Sequence, residues 1–315
     1  MSGFLERKLL FVTGKGGVGK SSVAAALALL GSQRGKKTLA CELDSKGNLA
    51  EFLEAGSISF KPRKVQPRLY VSSVDSEDSL KEYLAVNLRL PVMSRLGPLA
   101  RLFDFAAVAA PGVKEILTVG KPVYEVHEGN YDLVVVDATA TGHVLSQLAA
   151  PRVINELVQV GLVRQQTTWM LEVLSDEAQT GVVIVTTPEE MPVNETIELA
   201  PRVEAESGVH LAGVVVNRVL PELFGRGEEE VFEHLEEPAH TAAVSEAAGG
   251  DVAPIFAAAS LAVTLRRTRA EHLERLRSSV APGVPILYLP YLFARTHGLR
   301  STHQMAAALG DELGY

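Results

Sequence analysis

Residues 13–22 read TGKGGVGKSS, and this glycine-rich stretch constrains the fold more than any other part of the chain. An apolar run that is typical of a strand, Leu9 to Val12, comes immediately before it. Val23, Leu27 and Leu30 follow at a spacing that is typical of one apolar face of a helix. The pattern GxxxxGK[ST] between a strand and a helix is typical of a loop that binds phosphate. The sequence therefore predicts a phosphate-binding loop at this position.

The loop offers backbone N–H groups, a cation and a hydroxyl to a nucleotide. Its glycines let N–H groups approach phosphate oxygens, and the following helix points its positive end at the same charge. Lys20 is expected to neutralise the β- and γ-phosphates, and the Ser21 hydroxyl to ligate Mg²⁺. Lys15 is one lysine more than the pattern requires. The expected binding residues are Gly14, Gly16, Gly17, Val18, Gly19, Lys20, Ser21 and Ser22.

Composition is typical of a globular protein from a reducing compartment. The 315 residues are 47% hydrophobic and 22% charged, and the net charge of −8 argues against a nucleic-acid partner. The basic stretch Lys61 to Arg68 is expected to be a solvated loop. Cys41 is the single cysteine, so neither an intramolecular disulfide nor a two-cysteine zinc site can form. Without a leader or a membrane-spanning apolar run, we expect a cytoplasmic protein with no direct membrane anchor.

Apolar runs rich in β-branched residues alternate with helical patterns, which predicts a doubly wound, mostly parallel α/β sheet in one domain, 1–315. The runs expected to be strands are Lys8 to Val12, Thr38 to Leu43, Leu69 to Val74, Leu133 to Val136, Val182 to Thr186, Leu211 to Val216 and Ile286 to Leu289. Residues 79–126 are typical of a helical insertion, and residues 220–251 of a polar insertion of helix and loop. A C-terminal helix is expected to open at Ser301, with Gln304 in capping-box spacing.

Two aspartates follow apolar strands and are expected at the same edge of the sheet as the loop. Asp137 ends the run from Leu133, where a carboxylate can hold a water of the Mg²⁺ shell. Asp44 follows the run from Thr38, where it could orient or deprotonate the water that attacks the phosphate. Both positions therefore predict a site for phosphoryl transfer.

Five segments, in this order, resemble the arsenite-pump and tail-anchored-protein-targeting ATPases, which belong to the class with a deviant Walker A motif. They are GKGGVGKSS at 14–22, LDSKGNL at 43–49, DATATGH at 137–143, TTPEEMPVNET at 186–196 and VVVNR at 214–218. The stretch APGVKEILTVGK at 110–121 is similar to the bacterial branch of anion-transporting ATPases. The resemblance implies a P-loop ATPase that uses ATP and Mg²⁺.

The resemblance also implies roles for single residues. Lys15 would reach across a dimer interface to the nucleotide of the partner, which is either a second copy or a paralogous ATPase. Asp44 would be the catalytic carboxylate of switch I, and residues 137–143 would be switch II. Asn217 would bind adenine. The other residues expected around the base are Arg218, Pro290, Tyr291 and Leu292.

Three departures from the family pattern leave alternative functions open. Switch I reads DSKG without the usual proline, and switch II reads DATATGH, also without its proline. With Cys41 alone, the arsenite-binding and zinc-bridging cysteine sites of the relatives cannot be built. The leading hypothesis is an ATP-driven dimeric switch, and the alternatives are a weakly hydrolysing regulatory subunit of a paralogue or a targeting factor for hydrophobic clients. Apolar residues of the insertion either bind such a client or pack the helices of the insertion onto each other and onto the dimer partner. The residues that could bind a client are Leu96, Leu99, Leu102, Phe103 and Phe105.

Overall fold

The computed structural model describes residues 3–43, 47–88, 112–294 and 297–315. The predicted catalytic carboxylate, Asp44, lies outside these ranges. The candidate client-binding residues Leu96, Leu99, Leu102, Phe103 and Phe105 also lie outside the described residues.

The described residues form one sheet of eight strands in the order β3, β4, β2, β5, β1, β6, β7, β8. Every neighbouring pair is parallel except β3 with β4, which is antiparallel. The strand bounds are β1 Leu9–Gly14, β2 Thr38–Leu43, β3 Arg63–Gln66, β4 Leu69–Val74, β5 Leu133–Asp137, β6 Thr180–Thr186, β7 Leu211–Val219 and β8 Ile286–Pro290. The seven predicted strands are all present, because their apolar runs are buried on both faces.

Helices connect the strands and cover both faces of the sheet. The α-helix bounds are α1 Lys20–Gln33, α2 Asn48–Phe52, α3 Ser76–Leu88, α4 Val113–His127, α5 Thr141–Leu157, α6 Leu162–Ser175, α7 Glu190–Arg202, α8 Arg226–Leu235, α9 Pro238–Ala248, α10 Ala253–Ser279 and α11 Leu299–Leu313. A 3₁₀ turn spans Phe4–Glu6, and a π turn spans Val203–Ser207. Among the described residues, no helix has both the length and the apolar character that crossing a bilayer requires.

Two hydrophobic clusters, one on each face of the sheet, make the fold doubly wound. On one face, α1 and α11 pack on the sheet, so that Val23 and Leu27 join Leu10 and Val12 in one cluster. On the other face, α4 to α7 pack on the alternate residues of the same strands. Because β1 is central and buried on both sides, its carboxyl end is held firmly. This predicted α/β architecture is confirmed.

Two local predictions were wrong. The basic stretch Lys61 to Arg68 contains β3, which pairs with β4 through its backbone, with Arg63 opposite Val71. Its charged side chains stay exposed, so the stretch lacks the alternation of apolar residues that would predict a strand. The C-terminal helix begins at Leu299 rather than at Ser301, because the Ser301 hydroxyl accepts a hydrogen bond from the Gly298 N–H at 3.0 Å.

Two intervals predicted as insertions contain helices where the structure describes them. Residues 79–126 include most of α3 and α4, and α8 and α9 lie within residues 220–251. The division of the chain into one domain with two insertions stays a prediction.

Candidate functional site

The loop after β1 takes its shape from two close approaches of the backbone. Gly14 has φ +150°, and a Cβ atom there would lie 2.1 Å from the Val185 carbonyl oxygen on β6. Gly19 has φ +94°, and a Cβ atom there would lie 2.4 Å from Asn217 Nδ2 on β7. Since real Cβ atoms do not come this close, only glycine fits at either position. Neighbouring strands therefore fix both ends of the loop.

The middle of the loop is open. Gly16 and Gly17 are exposed, and a Cβ atom at either would meet nothing within 4 Å. Helix α1 begins at Lys20 directly behind them, and its N-cap residue Gly19 provides no side-chain hydrogen bond to the helix. Backbone N–H groups at such a helix start bind phosphate or another anion. The predicted phosphate cradle, including Val18 and Ser22, thus lies in one continuous turn.

The two lysines of the loop have different partners in the described structure. Lys20 Nζ donates a 3.1 Å hydrogen bond to the Lys15 carbonyl oxygen, so its ammonium group lies across the loop. Lys15 Nζ forms an ion pair with Glu195 of α7. Glu195 was not identified from the sequence, because it lies 180 residues away along the chain. The only signal was its position inside the segment TTPEEMPVNET, which carried the resemblance.

The carboxylate expected to act through water on Mg²⁺ lies beside the loop. Asp137 ends β5, is paired in register with Val12 of β1, and is 5% exposed. The Thr13 hydroxyl donates a 2.9 Å hydrogen bond to the Thr139 carbonyl oxygen, which ties the start of the predicted switch II to the end of β1. Ser21 and Asp137 come from adjacent elements at one sheet edge. Hydroxyl and carboxylate oxygens suit Mg²⁺, and open backbone N–H groups suit phosphate. The residues present therefore fit Mg²⁺-bound ATP.

A second buried carboxylate, missed from the sequence, borders the predicted switch I. Glu42 of β2 is 2% exposed and is paired in register with Asp137. Its two oxygens accept hydrogen bonds from the Gly47 N–H at 3.1 Å and the Asn48 N–H at 2.9 Å. Glu42 therefore holds the beginning of α2 against the end of β2.

The residues predicted around the base gather at the carboxyl ends of β7 and β8. Asn217 is 5% exposed, and its Nδ2 donates a 2.9 Å hydrogen bond to the Val18 carbonyl oxygen. Arg218 is exposed with φ +60°, and its N–H donates to Asn217 Oδ1 at 3.0 Å. Tyr291 N–H donates to the Val219 carbonyl oxygen at 2.8 Å, which brings Pro290, Tyr291 and Leu292 next to Arg218. The structure brings these residues together, and their contact with adenine stays a prediction.

An apolar cavity of about 720 Å³ lies between α3, α4, α5 and α6. Trp169 and Met170 of α6 line it together with Ile116 and Leu117 of α4. Lys121 also contributes to the wall, although it is only 6% exposed. Its ammonium group is 2.6 Å from Glu125 Oε1 and 2.7 Å from Glu82 Oε1. Burial would lower the pKa of Lys121, but the hydrogen bonds to these two carboxylates outweigh it and raise the pKa.

The cysteine lies far inside the sheet. Cys41 is fully buried on β2, and its Sγ lies 3.4 Å from the Ser72 hydroxyl. Burial raises the pKa of the thiol to about 12, so it stays protonated at neutral pH. Within the described part of the chain, no three histidine, cysteine or acidic side chains converge as ligands for a metal ion.

Comparisons with known proteins support this interpretation of the fold. ATPase BagA of Mycobacterium tuberculosis is 30% identical over 225 residues, which are 68% of this chain and 66% of the relative. An ATPase ASNA1 homolog of Entamoeba dispar is 29% identical over 163 residues, 48% of each chain. The matched part of the chain thus spans less than two thirds of the length of these relatives. The family profile described as anion-transporting ATPase matches residues 7–170 and 162–236. Because this match covers more than half of the chain and includes the loop, residues 137–143 and Asn217, the protein belongs to the anion-transporting ATPase family.

Proposed function

We propose that this protein binds ATP with Mg²⁺ and that hydrolysis opens and closes a dimer of two such chains. The open middle of the loop, at Gly16 and Gly17 in front of the α1 N-terminus, carries this proposal. A helix start of this kind binds phosphate groups. The names of the two relatives, both ATPases, agree with it. The single buried cysteine is consistent with action in the cytoplasm.

Each residue of the site has one task in the proposed reaction. Lys20 leaves the Lys15 carbonyl and binds β- and γ-phosphate oxygens, while the Ser21 hydroxyl serves as a ligand of Mg²⁺. Asp137 holds a water molecule of the metal shell. Asp44 orients the attacking water and accepts its proton. Magnesium, when bound, neutralises the charge that develops on the phosphates.

The extra lysine is the reason for proposing a dimer. Since Lys20 already supplies the cation that the loop pattern requires, the loop does not need Lys15, which can leave Glu195 and bind the nucleotide of a partner subunit. Such a contact in trans supplies charge in the transition state, as an arginine finger does. Asn217 and Arg218, with residues 290–292, are proposed to contact adenine.

A mixing experiment tests the trans arrangement. Lys15→Ala keeps the hydrolytic carboxylate but should lose turnover by about 10³-fold. Asp44→Asn keeps the lysine and should bind ATP but lose hydrolysis. Mixed dimers should recover one working site, in which the Asp44→Asn subunit donates Lys15 to the site with Asp44. Two variants that co-assemble and stay inactive would contradict the proposal for this chain.

Nucleotide binding needs its own test and control. Lys20→Ala should abolish tight binding of Mg²⁺-ATP in calorimetry, because the β- and γ-phosphates lose their cation. Lys81→Ala is the matched control, since Lys81 is 53% exposed on α3 and pairs only with Glu77 and Asp78 of its own helix in the described structure. Equal affinity in both variants would overturn the assignment of the loop.

The altered switches motivate a regulatory subunit as one alternative. The lost prolines of switch I and switch II would slow hydrolysis without preventing ATP binding. In that case the isolated chain binds ATP with negligible turnover, and a paralogous ATPase restores the rate. A turnover assay with and without the paralogue distinguishes this function from a homodimeric switch.

The cavity between α3 and α6 favours a hydrophobic client as a second candidate function. Its apolar wall includes Trp169, Met170, Ile116 and Leu117, and 720 Å³ is enough for several large side chains. We expect apolar peptides to co-purify with the chain and to be released by hydrolysis. Trp169 fluorescence provides the measurement, since an occupant of the cavity would shift its emission.

A further inference from the structure

Lys15 is held within its own chain by a residue that the proposed reaction does not use. Its ammonium group pairs with the carboxylate of Glu195, which lies in the second turn of α7. The two side chains are 29% and 34% exposed, so the pair is partly accessible to solvent. Helix α7 follows β6, the neighbour of β1, so the pair links the phosphate loop after β1 to the helix after β6.

The ion pair and a contact in trans compete for one ammonium group. A lysine engaged with a carboxylate on α7 must leave it before it can reach a phosphate on another subunit. Lys20 does not replace it, since Lys20 Nζ is directed at the Lys15 carbonyl inside the loop. Breaking the pair is thus a step on the way from separate chains to the nucleotide-bound dimer.

We propose that Glu195 is a positioning residue that holds Lys15 in the separate chain. It thereby raises the protein concentration at which two ATP-bound chains pair. The proposal rests on the trans role of Lys15 given above. A partly exposed ion pair of this kind changes an equilibrium by about 2- to 5-fold. Two lysines are released in each homodimer, so the effect on assembly is about 4- to 25-fold.

Helix α7 itself provides a matched control. Glu198 lies three residues after Glu195 and is exposed. Its change to glutamine removes the same charge from the same helix without touching Lys15. Two other charges of the region are already engaged in the described structure, since Glu189 pairs with Arg269, and Arg202 pairs with Glu206. The comparison of E195Q with E198Q therefore separates the contact from the general loss of a negative charge.

The first measurement is the reactivity of the Lys15 amine in the nucleotide-free protein. Trace acetylation followed by mass spectrometry compares Lys15 with other lysines of the same molecule, which serve as internal standards. E195Q should raise the acetylation of Lys15 by about 2- to 5-fold, whereas E198Q should leave it unchanged. Equal reactivity of Lys15 in wild type and E195Q would overturn the proposal, whatever the function of the dimer.

The second measurement is assembly in the presence of Mg²⁺ and a non-hydrolysable ATP analogue. In sedimentation experiments, the protein concentration for half-assembly should fall by about 4- to 25-fold in E195Q and stay at the wild-type value in E198Q. E195D keeps the carboxylate, so its concentration for half-assembly should remain close to that of wild type. This result would show that the change in E195Q comes from the lost charge and not from a folding defect. An unchanged or higher concentration in E195Q would overturn the proposal. Absence of any nucleotide-dependent assembly in wild type would instead contradict the proposed dimer itself.

Discussion

Asn217 on β7 donates a 2.9 Å hydrogen bond from its amide nitrogen to the carbonyl oxygen of Val18, which lies 199 residues earlier in the chain. The same amide nitrogen limits Gly19 to glycine, because a Cβ atom there would lie 2.4 Å from it. The strand expected to carry the adenine-binding residues is thus fastened to the phosphate loop. Changes at Asn217 should therefore affect the loop as well as the base.

Asn217→Ala leaves the buried Val18 carbonyl without this donor. We expect a loss of about 1–3 kcal/mol in the free energy of unfolding, measured by urea denaturation without nucleotide. Calorimetry with ATP and GTP then separates the two tasks of the side chain. A greater loss for ATP supports adenine binding, whereas equal losses for both nucleotides would assign Asn217 to the loop alone.

Gly19→Ala should disrupt the loop, while Gly16→Ala should not. At φ +94° an alanine is strained, and its Cβ would collide with the Asn217 amide, so we expect a loss of at least about 1–3 kcal/mol in stability. At Gly16 the added methyl group meets nothing within 4 Å, and stability should stay within about 0.5 kcal/mol of wild type. Thermal unfolding without nucleotide provides the measurement. Similar melting temperatures for the two variants would contradict the described loop.

Lys121→Met should strongly destabilise the wall of the cavity. The Glu125 side chain is 7% exposed and 2.6 Å from the Lys121 ammonium, so the variant leaves a buried carboxylate without its cation. The expected loss is about 3–5 kcal/mol. The double variant Lys121→Met/Glu125→Leu should recover most of it, because an apolar pair of similar volume suits this environment. If the double variant is less stable than either single variant, the buried ion pair stabilises the fold more than an apolar pair of similar volume does.

The Cys41 thiol should resist modification until the chain unfolds. Since burial raises its pKa to about 12 from an ordinary 9.0, a thiol reagent at pH 8 should label the protein only in denaturant. Between pH 9 and 12 the unfolded chain loses this proton and the folded chain keeps it. The free energy of unfolding should therefore fall with rising pH, by up to about 1.4 kcal/mol per pH unit. Cys41→Ala is the control, because it should lack this part of the slope.

Patterns along the chain predicted the strands and the loop because their causes are local. A strand that is buried on both faces must be apolar throughout, so runs such as Val182 to Thr186 were visible without any partner. The phosphate loop was visible because glycines and a lysine must occur at fixed spacing. Strand β3 gave no such signal, because it pairs through its backbone while its charged side chains stay exposed.

Contacts between distant segments could not be predicted in this way. The pairs Lys15–Glu195 and Asn217–Val18 depend on the side-by-side position of β1, β6 and β7. A single sequence contains the residues but not their distance. The same holds for Glu42, whose carboxylate accepts hydrogen bonds from the Gly47 and Asn48 N–H groups at the beginning of α2. For these residues the resemblance identified the segment at most, and the structure supplied the partner.

The antiparallel edge strand β3 has a consequence for how the protein behaves at high concentration. An open sheet edge presents unpaired N–H and C=O groups that can recruit a strand from another molecule and begin aggregation. Here the outermost strand is four residues long, exposes Arg63 and Lys64, and changes register between Lys64 and Gln66. Shortness, positive charge and irregular pairing each make it a poor template. The features that concealed β3 in the sequence are thus the ones that keep one molecule's sheet from growing into the next.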